Sequence, residues 1–448
     1  MLQMSPKSEV VHPVDQVPPP RQLAVLGLQH VLVMYAGAVA VPLIVGHALG
    51  LAAGDIAFLV SADLFACGLA SLVQSLGLPG FGVRLPVMMG VTFASVAPML
   101  ALIAAGKAAG APQAQTLQVI YGSVIAAGVF GVAAAPLIGR MARLFPPVVT
   151  GTVILTIGIS LMRIGIDWAA GGQASAPDYG APANLGIAAF VLVAILGLMR
   201  FAQGFLRNIA VLVGLALGVG LCLGLGRMSL DAVAQAPWLR LVGPFHFGLP
   251  RLELVPAATM CLVMLVVMIE SFGMFMALGA MVGRPLDTRT LANGLRADGL
   301  GAILGGVFNT FPYTSFSQNV GLVGVTGVTS RYVCAAGGAI MLALSVSPKL
   351  GALVAAVPPA VLGGAGLVMF GMVLATGVRV LSEADLAADR HNALIVAVSV
   401  GLGMIPVVSD KFFQAMPAAL GPLLHSGILL ATLAAVALNL AFNGLKAR

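Results

Sequence analysis

The 448-residue chain is a succession of apolar stretches separated by short polar ones. A membrane helix needs about 20 apolar residues. With that ruler the pattern predicts spans near 22–48, 56–77, 85–105, 116–137, 146–164, 183–200, 208–226, 256–281, 293–309, 312–328, 332–347, 361–378, 392–409 and 422–443. Of these fourteen, the third, ninth, tenth and eleventh are irregular or short. The tenth breaks the pattern most. From Asn309 to Asn319 it is polar, contains Pro312, and is rich in the Thr, Ser, Tyr and Phe that favour extended backbone. From Val320 it is apolar and glycine-spaced, as a short helix is. Non-helical backbone at membrane depth is tolerated only where it is buried in protein or lines a cavity. A half-helix beginning near Gln318 would aim unpaired N–H groups and the positive end of its dipole into that cavity. Discontinuous helices build transporter sites in this way, so this stretch is the predicted binding site.

The pattern also repeats. Phe145-Pro-Pro-Val-Val-Thr-Gly151 in span five echoes Val357-Pro-Pro-Ala-Val-Leu-Gly363 before span twelve. Ala66-Cys-Gly-Leu-Ala-Ser-Leu72 echoes Ala297-Asp-Gly-Leu-Gly-Ala-Ile303, and Thr92-Phe-Ala-Ser95 loosely echoes Ser315-Phe-Ser-Gln318. Each match joins span n to span n+7, with offsets of 212, 231 and 223. Seven is odd, so the two halves are expected to be inverted in the membrane. Span three, with Pro86 and Pro98 around Thr92, becomes the second broken segment, facing span ten. The expected fold is an all-α polytopic membrane protein of 7+7 inverted repeats. Spans 3 and 10 are each broken into a short strand and a half-helix.

Composition agrees with that reading. The chain is 60% hydrophobic and 8% charged, where a soluble domain carries about 25% charged residues. Cys67, Cys222, Cys261 and Cys334 lie far apart in apolar stretches, and the six histidines are scattered, so neither a metal centre nor a disulfide framework is expected. Residues 1–21 are polar and proline-rich, without the apolar core of a leader peptide, and read as a cytoplasmic tail. With both termini inside, fifteen of the 22 basic residues fall on the inner side. The outer side holds the other seven: Lys107, Arg163, Arg227, Arg240, Arg251, Lys349 and Lys411. This obeys the positive-inside rule. No nucleophile–base constellation is present, so an enzyme is not expected, and neither a cofactor nor a nucleic-acid partner is implied.

Few residues in the spans can carry chemistry. Glu270 lies mid-span in an apolar run, where an ionisable group costs roughly 2.5 kcal/mol or more and marks function by default. It can hold and release a proton. Asp298, among glycines in span nine, suits either a proton relay or an acceptor that orients the span-ten backbone. His30 in span one suits an orienting or packing role, and Asp63, near the end of its span, suits helix packing or a solvated role rather than substrate contact. Gln318 and Asn319 offer amides that can pair with the N–H and C=O edge of a heterocycle, as they do with a base. Phe93, Tyr313 and Phe316 are rings able either to pack or to stack.

At these residues the sequence resembles a known family. Gln318-Asn-Val-Gly-Leu-Val-Gly-Val-Thr326-Gly, followed by Ser330-Arg331, is similar to the signature of the nucleobase–ascorbate transporters. Gln29-His30, Glu270 and Ala297-Asp298-Gly299 extend the likeness over nearly the whole chain. The resemblance implies a core domain of spans 1–4 and 8–11 (22–137 and 256–347) and a gate domain of spans 5–7 and 12–14 (146–226 and 361–443). It implies a homodimer in the inner membrane of a bacterium and purine–proton symport. Glu270 and Gln318 would grip the purine, with Asn319, Thr92, Phe93, Phe316, Ser317 and Met274 around it, and Glu270, Asp298 and His30 would serve proton coupling. Residues 27–42 and the Phe-Pro-Pro motif most resemble urate permeases. Xanthine-type members tend to carry an acid where this chain has Met274 and asparagine where it has Thr92. Losing an acid favours the anionic urate, because a nearby carboxylate would repel it. Xanthine or uracil is the nearest alternative cargo. An inorganic-anion exchanger is a more remote one, since such a site has little use for Glu270.

Overall fold

The computed structural model describes residues 11–137, 142–172, 174, 176–386, 389–409, 411–417 and 420–444. The first ten residues of the predicted tail lie outside this set, and so do Arg140, Lys446 and Arg448 from the charge count. The first half comprises α1 (Pro20–Leu49), α2 (Ala53–Leu76), strand β1 (Met89–Val91), α3 (Val96–Ala108), α4 (Gln113–Ala134), α5 (Pro147–Ala169), α6 (Pro182–Phe201) and α7 (Ala210–Gly224). The second half begins with α8 (Leu254–Met281), α9 (Thr288–Val307), strand β2 (Tyr313–Ser315), α10 (Ser317–Thr326) and α11 (Arg331–Ser345). It ends with α12 (Pro348–Ala355), α13 (Pro359–Leu381), α14 (Arg390–Val408) and α15 (Gly427–Phe442). Proline at the first turn starts α1, α5, α6, α12 and α13, where its missing N–H costs nothing. Gly50, at φ 73°, closes α1.

Among the described residues, eight helices are long and apolar enough to cross a membrane, and α11 with α12, bent by 82°, would make a ninth. Helix α3, entered through a tight turn at Phe93–Ser95, is apolar but shorter, and so are α7 and α15. Length alone therefore does not return the fourteen predicted spans.

Spans 3 and 10 are broken as expected, each into a three-residue strand and a half-helix. The second half-helix begins at Ser317, one residue before the predicted start, and its strand is confined to Tyr313–Ser315. The strands pair antiparallel, with Met89 opposite Ser315, Gly90 opposite Thr314 and Val91 opposite Tyr313. Thr92 N donates to Pro312 O and Phe316 N to Met88 O, both at 2.9 Å. Each broken segment thus satisfies the other's backbone, which makes non-helical chain tolerable at this depth. The pairing is symmetric about Gly90 and Thr314, an offset of 224 where the motif match gave 223.

The other offsets reappear as packing. On α2, a Cβ added to Gly68 would lie 2.7 Å from Gly338 O on α11; on α9, one added to Gly299 would lie 2.8 Å from Gly128 O on α4. Gly68 and Gly299 are 231 apart, so these are one helix crossing built twice. Similarly, Gly151 on α5 abuts Leu381, and Gly363 on α13 abuts Ala169, related by 212. Two packing groups result. Helices α1, α2, α4, α8, α9 and α11 pack around the strand pair, whereas α5, α6, α7, α13, α14 and α15 pack mainly among themselves.

Candidate substrate site at the paired half-helices

A narrow cavity of about 50 Å³ lies where the two groups meet. The first group lends it Glu270 and Met274 from α8, Phe93 and Ala94 at the start of α3, and Thr314 to Gln318 along β2 and α10. Ile154 and Ile157 of α5 and Val373 and Thr376 of α13 close the other side. Glu270 and Met274 are four residues apart and so share one face of α8. Of the predicted binding residues, the cavity therefore brings together Glu270, Met274, Phe93, Phe316, Ser317 and Gln318.

Thr92, Asn319, Asp298 and His30 stand behind this lining. Asn319 is fully buried and turned toward α1, its Nδ2 donating to His30 O at 2.9 Å and approaching His30 Nδ1 at 3.1 Å. The carbonyl can only accept, which fixes the amide orientation and makes Nδ1 an acceptor of the second N–H. His30 thus orients Asn319, and Asn319 Oδ1 stays buried without a partner among the described residues. Asp298 Oδ1 accepts from Gln74 Nε2 at 2.8 Å, while Oδ2 has no described partner. Thr92 caps the turn into α3, its Oγ1 accepting from Ala94 N at 3.2 Å. Phe316 is buried: a Cβ on Gly37 would come within 2.7 Å of its ring, and Gly90 meets the ring as well. Its ring is therefore mainly a packed wedge, and Phe93, set edge-on to Phe370 at 5.8 Å, is the less buried of the two.

Two supporting residues, Ser271 and Gln74, escaped sequence reading, and a third, Asp63, has closer partners than its type conveys. Ser271, beside Glu270, accepts from Ser315 N at 3.2 Å and contacts Thr314 Oγ1 at 3.1 Å, fastening β2 to α8. Gln74 joins the two halves: it donates to Gly294 O at 3.0 Å as well as to Asp298, and its Oε1 accepts from Val83 N at 2.8 Å. Asp63, expected in a helix-packing or solvated role, is wholly buried and accepts from Tyr313 Oη at 2.9 Å and Thr310 Oγ1 at 3.1 Å, which leaves the packing role. A polar residue inside an apolar span was the only available signal for each.

Paired half-helices enclosing a carboxylate and an amide, between two groups of membrane helices, define a polytopic secondary carrier. A model of the permease family matches residues 21–412. The uric acid transporter UacT of Escherichia coli is 52% identical, over 96% of this chain and 88% of its own. The xanthine permease of Bacillus subtilis is 43% identical over 93% of each. Among solved structures, the transmembrane domain of the cyanobacterial bicarbonate transporter BicA superposes with a TM-score of 0.61, covering 94% of this chain and 99% of that one. At 16% identity that last likeness speaks for the fold alone. The chain belongs to the permease family of the nucleobase–ascorbate transporters.

Proposed function

We propose that this protein is a proton-coupled symporter that imports a purine, with urate the favoured cargo, across the inner membrane of a bacterium. The observation that carries this reading is the placing of Glu270 and Gln318 on one cavity at the open end of α10. The Gln318 amide can pair with a purine's N–H and C=O edge. Glu270 accepts from a ring N–H, and its carboxylate takes and returns the coupled proton. Met274 keeps a second negative charge out of the wall, which suits the urate monoanion over neutral xanthine. The similarity to urate and xanthine permeases supports the same cargo.

In this reading α1–α4 and α8–α11 form the core, α5–α7 and α13–α15 form the gate and dimer surface, and both termini are cytoplasmic. A proton and a purine bind from outside, the core moves against the gate, and loss of the proton inside weakens the purine's hold. Asn319, steered by His30, and Asp298, steered by Gln74, shape the core around the site. The test is uptake of labelled urate, xanthine and uracil with and without a protonophore. Urate accumulation that collapses with the proton gradient is expected; accumulation indifferent to it would sink the coupling.

A further inference from the structure

A larger cavity, of about 930 Å³, lies between α3, α5, the end of α14 and residues 413–417 and 421–427. The small cavity on another face of Glu270, beside Phe145 and Thr150, has only about 10 Å³. The large one continues the Glu270 site along two helices. Helix α3 lends it Val96, Ala97 and Leu100, just beyond the Phe93 and Ala94 that line the site, and α5 lends it Ser160 and Ile164, just beyond Ile154 and Ile157. One helical turn, about 5.4 Å, separates the two sets.

Its polar wall is built rather than incidental. Ser160 Oγ is buried and has no hydrogen-bond partner among the described residues. Arg163 donates Nη1 to Val407 O at 2.8 Å, and Asp167 accepts from Tyr179 Oη at 2.8 Å. Arg163 and Asp167, four apart on one helix face, give the wall both signs of charge. That combination disfavours a bare inorganic anion and suits a ring whose edge alternates N–H and C=O. Gln414 adds an amide, and Phe413 and His425 add rings set edge to face at 6.3 Å.

We propose that this cavity is a second binding station, occupied by the planar purine before it steps to Glu270. Phe413 and His425 hold the ring, and Ser160 and Gln414 take its polar edge. The proposal rests on the purine reading above. It is tested by urate uptake over a range of concentrations in cells carrying the full chain. Phe413→Ala and Ser160→Ala should each raise KM about three- to tenfold, the size of one lost ring contact or hydrogen bond, while Vmax is kept. In membranes bearing Glu270→Gln, weak urate binding should persist and disappear when Phe413→Ala is added. An unchanged KM in both single variants, with wild-type uptake intact, overturns the station and leaves the purine reading standing. A wild type that neither binds nor carries any purine overturns both. Should Phe413→Ala fail to reach the membrane, Ser160→Ala, which deletes one oxygen, decides alone.

Discussion

The two half-helices descend from one repeated design but finish their inner ends differently. At α3 the opening turn is closed by its own chain: Thr92 Oγ1 accepts from Ala94 N, and Ser95 Oγ donates to Thr92 O at 3.0 Å. At α10 the N-cap position falls on Phe316, whose side chain has no acceptor, and no side chain caps the helix. Asn319 N and Val320 N turn back to Phe316 O, so Ser317 and Gln318 present the exposed end of the dipole. A capped terminus is a structural support, and an uncapped one facing a cavity is an anion seat. On the purine reading proposed above, the charged cargo belongs on α10, and α3 is left to hold the ring's other face through Phe93.

Variants can break or sharpen that contrast. The largest effect is expected opposite α10, where Glu270→Gln should reduce accumulation to background with membrane abundance unchanged; normal uptake would remove its role. Gln318→Ala should follow, raising KM roughly tenfold for one lost polar pair while thermal stability in detergent holds. Met274→Asp should next shift preference from urate toward xanthine in competition assays, and an unchanged profile removes the reason for naming urate. The smallest effect belongs to Thr92→Ala, expected to cost about 1 kcal/mol of stability, as lost caps do, and to alter KM little. If Thr92→Ala weakened binding while Gln318→Ala weakened folding, the contrast would be reversed.

The fold was largely legible because its determinants are periodic. Apolar runs of bilayer length set the helices, and the Phe145 and Val357 motifs carried the repeat at an offset the packing reproduces. The site was legible only where chemistry conflicted with surroundings, as at Glu270 and Gln318. What residue type cannot convey is direction. Gln318 and Asn319 are adjacent, yet about 100° of helical rotation sends one into the cavity and the other to His30. The partners of Asp63 stayed hidden for a related reason. The chain that covers it, Thr310 to Tyr313, is distant in sequence, and only the folded molecule brings it over α2.

The glycine crossings have a consequence for reading mutational scans. At Gly68, Gly128, Gly299 and Gly338 a single methyl meets a facing backbone oxygen, and a backbone cannot swing aside as a side chain does. Such positions will score as inactive in any saturation survey although none of them lines the cavity. A map of intolerance for this protein will therefore trace two superimposed drawings, the seat of the cargo and the seams between helices. Surface abundance measured alongside uptake separates them, because a faulty seam removes the protein and a faulty seat leaves it in place, idle.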